Sequence, residues 1–227
     1  MTLALVSDAG SDNGMATIQC VLNSLGLKSP RVAYIASEPD PERCYYRATQ
    51  EIYHRLGAEL CHYVELETDF DAAVADAMFG FDGIHLSGGD TFRFLKWLKK
   101  RNLIEPLRKY LSEGGALIGV SAGAMIMTPS IESAWLCGDS NDVRLQDLTA
   151  LSLVPFQFIP HVDSDIKDGS ALLDTLSARY ADVNSPSPQR WDKPTAELCF
   201  CPDDAGIAVI DGEVIEFGQP VNYRAGS

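Results

Sequence analysis

The sequence predicts an α/β fold with a mainly parallel sheet, helices on both faces and a β-rich C-terminal edge. Three observations carry this expectation. Short apolar runs alternate with segments of helical spacing from Met1 to about Met127. The runs are continuous rather than alternating, as expected of strands buried on both sides. Beyond Leu153 the strand-like runs move closer together, and Asp211-Gly212 supplies a hairpin signal between two of them.

In chain order, Leu3 to Val6 is a first strand that runs into the polar turn Asp8-Ala-Gly-Ser-Asp-Asn-Gly14. Ile18, Val21, Leu22 and Leu25 share a face at helical spacing, so Met15 to Leu25 is a helix stopped by Gly26. Arg31 to Ala36 is a second strand, Glu42 to Leu56 a helix ended by Gly57, and Glu59 to Val64 a third strand. Asp71 to Met78 is helical. Gly83 to Leu86 is a short strand that enters Ser87-Gly88-Gly89-Asp90. Thr91 to Lys100 and Ile104 to Ser112 are helices, and Ala116 to Val120 is an apolar strand. In the second half, Leu153 to Ile159 is a strand, Ala171 to Tyr180 a helix and Asn184 to Gln189 a loop. Ala196 to Cys201, Gly206 to Ile210 and Glu213 to Phe217 complete the strands. With no repeat and no linker, residues 1–227 read as one domain.

Composition narrows the function. Lys and Arg number 18 against 32 Asp and Glu, a formal net charge of −14. So few cations disfavour sequence-independent nucleic-acid binding and attraction to anionic membranes. No apolar run is long enough to span a bilayer, and the N-terminus lacks a signal peptide's basic region. The 6 cysteines are scattered without a C-x-x-C pair, so reduced thiols in the cytoplasm are expected rather than a disulfide scaffold or zinc site. Cys199 and Cys201 alternate with Phe200 and read as core filling.

The chemistry concentrates at Gly119-Val120-Ser121-Ala122-Gly123, directly after a strand and before a helix start. This is the G-x-S-x-G pattern of a nucleophile elbow, where small neighbours permit the sharp turn that projects the serine. A bare tight turn is the bland reading of so short a motif; its strand and helix context favours the nucleophile. A serine needs a base. Of the 4 histidines, His54 sits on a surface helix and His62 in a short strand, and His85 is a weak rival within a strand. Only His161 follows the elbow, after an apolar strand and Pro160. For an orienting carboxylate, chain order alone leaves Asp139, Asp142, Asp163, Asp165, Asp203 and Asp204 open. The Ser87-Gly88-Gly89-Asp90 turn lacks a P-loop lysine, but its backbone N–H groups could pair with that of Ala122 as an oxyanion hole.

Taken together, Ser87-Gly-Gly-Asp-Thr-Phe92, Gly119-Val-Ser-Ala-Gly-Ala124 and Pro155-Phe-Gln-Phe-Ile-Pro-His161 resemble the peptidase E family of serine peptidases, family S51. That family includes aspartyl dipeptidase and cyanophycinases, and its fold resembles class I glutamine amidotransferases. The resemblance implies Ser121 as nucleophile, His161 as base, and Gly89 with Ala122 as the oxyanion hole, Gly88 being the neighbouring alternative. It places the acid in Pro202-Asp203-Asp204-Ala-Gly-Ile207, at Asp203 with Asp204 as the alternative. It implies a small peptide substrate, dipeptides with N-terminal Asp as the finer expectation, no cofactor and no metal. It admits monomers and dimers, and the leaning is to a homodimer. Two departures stand out. Ser140-Asn141-Asp142 lies later than the family's Asn-Asp pair, and the basic segment after the histidine is missing, with Lys167, Arg179 and Arg190 as the available cations. An esterase using the same serine and histidine, and a catalytically silent ligand-binding relative of the amidotransferases, are the rival readings.

Overall fold

The computed structural model describes residues 1–180 and 197–224. The strands are β1 (Thr2–Val6), β2 (Arg31–Ile35), β3 (Glu59–Val64), β4 (Gly83–Leu86), β5 (Ala116–Val120), β6 (Phe156–Val162), β7 (Glu197–Pro202), β8 (Gly206–Ile210), β9 (Glu213–Phe217) and β10 (Val221–Tyr223). The helices are α1 (Asp12–Ser24), α2 (Cys44–Arg55), α3 (Ala72–Ala77), α4 (Thr91–Lys100), α5 (Ile104–Ser112), α6 (Ala122–Ile126) and α7 (Gly169–Arg179). The expected loop from Asn184 to Gln189 and Ala196, the first residue of the expected strand Ala196 to Cys201, lie outside the described residues.

Seven strands form one sheet in the order β3-β2-β4-β5-β1-β8-β9. The first five are parallel, and β8 and β9 close the edge as an antiparallel hairpin. This is the mixed, mostly parallel sheet that the sequence predicts. Along β1, Leu3 and Leu5 enter one apolar cluster and Ala4 and Val6 the other, so these four residues are buried alternately against one layer and the opposite one. Alternate side chains point to opposite faces, which is why a doubly covered strand reads as continuous apolar sequence. Helices α1 and α2 cover the Ala4 face; α3, α4, α5 and α6 cover the Leu3 face. Helix α4 places Phe92, Phe94, Leu95 and Leu98 wholly inside. Each such side chain stabilises the fold by roughly 1.5–3 kcal/mol.

A second sheet, β10-β7-β6, holds the remaining strands. Strands β6 and β7 are parallel and β10 is antiparallel to β7. Cys199 and Cys201 face the core shared with the large sheet, whereas Leu198 and Phe200 face α7. Both cysteines are fully buried, as expected of core filling, and burial pushes their thiol pKa values up. All six cysteines are free thiols.

Three differences from the expected elements have local causes. Helix α1 begins three residues early because Ser11 caps it, its hydroxyl accepting the Gly14 N–H at 3.0 Å. Strand β6 continues past Ile159 to Val162 through a register shift at Pro160–Val162. Strand β10, only three residues long, carried no periodicity to find. Among the described residues, no helix is long and apolar enough to cross a membrane.

Candidate active site

The carboxyl ends of the parallel strands converge on one edge of the large sheet, where open α/β sheets hold their ligands. Ser7 follows β1, Ser37 stands close behind β2, Ser87 follows β4 and Ser121 follows β5.

Ser121 adopts φ 51° and ψ −113°, a conformation that costs a non-glycine residue on the order of 1–3 kcal/mol. The fold holds it there from several sides. Its N–H donates to the Val6 carbonyl at 2.8 Å, and its own carbonyl accepts from Ala124 and Met125 as α6 begins. Gly119 and Gly123 have no room for a side chain: a Cβ at Gly119 would meet the Gly123 carbonyl, and one at Gly123 would collide with the Leu86 backbone. The glycines of the motif are therefore packing requirements of the elbow.

His161 also has positive φ, 60°, and occupies the register shift in β6. A bulge re-aims a side chain out of the alternation of its strand. Its backbone N–H donates to Ser7 Oγ at 2.9 Å, and Ser7 is 1% exposed. Thus re-aimed, the imidazole reaches Ser121, with Nε2 2.8 Å from Oγ, while Nδ1 lies 2.6 Å from Asp203 Oδ1. An imidazole protonated on Nδ1 satisfies both contacts: N–H donates to Asp203, and the Nε2 lone pair accepts the serine O–H. The histidine and aspartate side chains are half-exposed and mostly exposed, so the cluster opens to solvent.

The connection between β7 and β8 carries Asp203 and Asp204 side by side with different partners. Asp204 accepts the Asn13 N–H at 2.8 Å and the Asn13 side-chain amide at 3.0 Å. A carboxylate at the first turn of α1 is favoured by the free N–H groups and dipole there. Of the two, Asp203 is the one that contacts His161. Among the other carboxylates left open by chain order, Asp139 accepts from the Thr91 N–H at 3.3 Å, Asp142 from Ser140 Oγ and Asp163 from the Asp165 N–H, and neither these three nor Asp165 makes a hydrogen bond to His161 among the described residues. Burial raises the pKa of Asp139, against the pull of its Thr91 contacts and of His161. His54 lies on α2. His62 bonds the Val74 carbonyl, and His85 is buried against Tyr53.

The glycine turn after β4 lies against the elbow, because a Cβ on Gly88 would sit 3.5 Å from the Ser121 Cβ. Ser37 Oγ donates to the Gly88 carbonyl at 2.5 Å, and the Ser37 N–H donates to Ser87 Oγ at 2.8 Å. In a trans peptide the N–H points opposite to the C=O. The Gly89 N–H is therefore turned away from Ser37. Gly89 has φ 131°, and a Cβ there would collide with Ser37 Oγ.

Sequence reasoning missed Ser7 and Ser37. Each is a polar residue closing an apolar strand, a signal too common to single either out. Lys167 and Arg179 are both exposed, and Arg190 lies outside the described residues.

A model described as peptidase family S51 matches residues 3–184. An uncharacterized peptidase of Pasteurella multocida (strain Pm70) is 30% identical over 146 residues, 63% of this chain and 70% of that protein. A protein named peptidase E from Citrobacter koseri is 35% identical over 98 residues, which span 43% of this chain and only 40% of that protein. A solved structure classed with peptidase E, from Listeria monocytogenes EGD-e, superposes with a TM-score of 0.69 at 21% identity, covering 95% of this chain and 96% of that one. A peptidase from an acI-B1 Actinobacterium superposes at 0.59 and 18% identity, covering 100% and 95%. At these identities the two structures speak for the fold alone.

Proposed function

Because the chain belongs to peptidase family S51, we propose that it is a serine peptidase of short peptides that works through Ser121, His161 and Asp203. The observation that carries this reading is the continuous hydrogen-bonded path from Ser121 Oγ through the imidazole to Asp203, at 2.8 and 2.6 Å.

In the forward step, Ser121 Oγ forms a bond to the scissile carbonyl carbon as its proton passes to His161 Nε2. Asp203 holds the imidazole in the required tautomer and stabilises the imidazolium. The carbonyl oxygen becomes an oxyanion, for which the N–H groups of Ala122, at the free start of α6, and Gly89 are the candidate donors. Collapse of this intermediate breaks the C–N bond, and the leaving amine takes the proton from His161. Water then repeats the sequence on the acyl-enzyme, returning the proton to Ser121. Strain at the elbow supports a reactive role, since a serine in this conformation serves no packing purpose.

The test is a dipeptide-library digest by wild type and Ser121→Ala, with fluorophosphonate labelling in parallel. The expected result is cleavage and labelling by wild type and neither by the variant. Equal digestion by both would overturn the reading, and cleavage of esters without peptides would replace it by an esterase. The same digest tests the finer expectation of N-terminal Asp.

A further inference from the structure

Strands β2 and β4 are neighbours in the large sheet, and beyond their carboxyl ends two serines continue the pairing. The last backbone bond there runs from the Ser87 N–H to the Ile35 carbonyl at 3.1 Å. Side chains then take over. Ser87 Oγ accepts the Ser37 N–H, and Ser37 Oγ donates to the Gly88 carbonyl. Ser37 is 3% exposed and Ser87 4%. A hydroxyl so enclosed has no solvent to fall back on, so its proton needs an acceptor within the protein. For Ser37 that acceptor is the Gly88 carbonyl.

The peptide gripped in this way joins two glycines beside the nucleophile. A half-turn of its plane changes Gly88 ψ and Gly89 φ, and glycine at both ends makes that rotation sterically cheap. Gly89 is exposed and has φ 131°. With the carbonyl on Ser37, the Gly89 N–H points the opposite way, and no acceptor for it occurs among the described residues. Turned over, the peptide would present its carbonyl oxygen where it now presents the N–H, and that oxygen would repel an oxyanion. Ser37 Oγ could accept the N–H in the turned state, but its own buried proton would be left unpaired. The hydroxyl therefore favours one orientation of the peptide over the other.

We propose that Ser37 is a positioning residue for the reaction: by holding the Gly88 carbonyl it keeps the Gly89 N–H set for the oxyanion before substrate arrives. Ser87 in turn holds the Ser37 backbone in place. Ser37 acts through the peptide and touches no reacting atom. The proposal rests on the peptidase reading and adds the group that presets one of its two candidate donors. An oxyanion exists only once Ser121 has attacked, so losing the hydroxyl weakens the transition state and leaves the bound substrate as it was.

The experiment compares wild type with Ser37→Ala, which removes the donor, and Ser37→Cys, which puts a weaker one in its place. Each is assayed on the dipeptide that wild type cleaves fastest, and with a trifluoromethyl ketone carrying the same acyl residue, which Ser121 converts to a tetrahedral oxyanion. In Ser37→Ala, kcat is expected to fall at least roughly tenfold with KM within about twofold of wild type. Ketone affinity should fall by the same factor as kcat, while the acid limb of the pH profile, which reports the base, stays in place. A mere tie between β2 and β4 predicts a lower Tm with kcat and ketone affinity unchanged, or kcat lost without ketone affinity. Either result overturns the proposal. Should Ser37→Ala give no soluble protein, Ser37→Cys decides: a loss of at least about threefold in both quantities is expected, and wild-type values overturn the proposal. Unchanged variants of an active wild type overturn the proposal alone. A wild type that cleaves no dipeptide and takes no fluorophosphonate overturns the peptidase reading and the proposal together.

Discussion

Asp203 and Asp204 are adjacent and chemically identical, yet one contacts His161 and the other holds the first turn of α1. Asp203→Asn is expected to lower kcat by roughly a thousandfold or more, because the amide stabilises the wrong tautomer. Asp204→Asn should instead lower Tm while kcat changes far less; steady-state kinetics beside thermal melts will separate them. His161→Ala should cost at least about a thousandfold in kcat. Ser7→Ala removes the hydroxyl that accepts the His161 N–H. Under the proposed mechanism it is expected to reduce kcat more than KM, since Ser7 holds the backbone of the residue proposed as base. Of these residues, Ser121 and His161 were legible in the sequence: one sits in a motif with a steric rationale, and the other is the single histidine after it. The choice between the aspartates was not legible, because chain order treats neighbours alike and only tertiary contact with Asn13 divides them.

At the scale of elements, the strands and helices of the first half were legible because burial on both faces leaves a periodic trace. The bulge in β6 left none. Sequence pattern placed His161 beyond the strand, whereas the strand continues and a positive φ turns the side chain toward Ser121. The elbow tolerates little change. Gly123→Ala would drive a methyl into the Leu86 backbone and is expected to cost on the order of 1–3 kcal/mol or prevent folding, read as a drop in Tm or in soluble yield. In the layer between β4 and α2, buried His85 has its pKa lowered to about 3 in the fold from 6.5 unfolded. Between those values the unfolded chain binds the proton that the folded chain refuses. Stability should therefore be complete above about pH 6.5 and decline as pH falls toward 3. Thermal melts across that window should show a shallower slope for His85→Gln than for wild type, by up to a few kcal/mol integrated.

For the whole molecule, the net charge of −14 sets a field that draws cations and repels anions. A cationic dipeptide should lose kcat/KM as salt rises from about 0.01 to 0.15 M, and an acidic one should gain, because screening shortens the reach of that field. The fold class was legible at this scale; the division of the C-terminal strands between two sheets was not, since strand-like runs carry no statement of their partners. That division has a mechanical meaning. Ser121 rides on the seven-stranded sheet, His161 on the three-stranded one, and Asp203 on the short connection between them. The two contacts to the imidazole thus measure the docking of one sheet on the other, with a tolerance of a fraction of an ångström. Turnover becomes a displacement gauge: in rising urea it should vanish at or before the loss of tryptophan fluorescence, reporting slippage along this seam while each sheet is still whole.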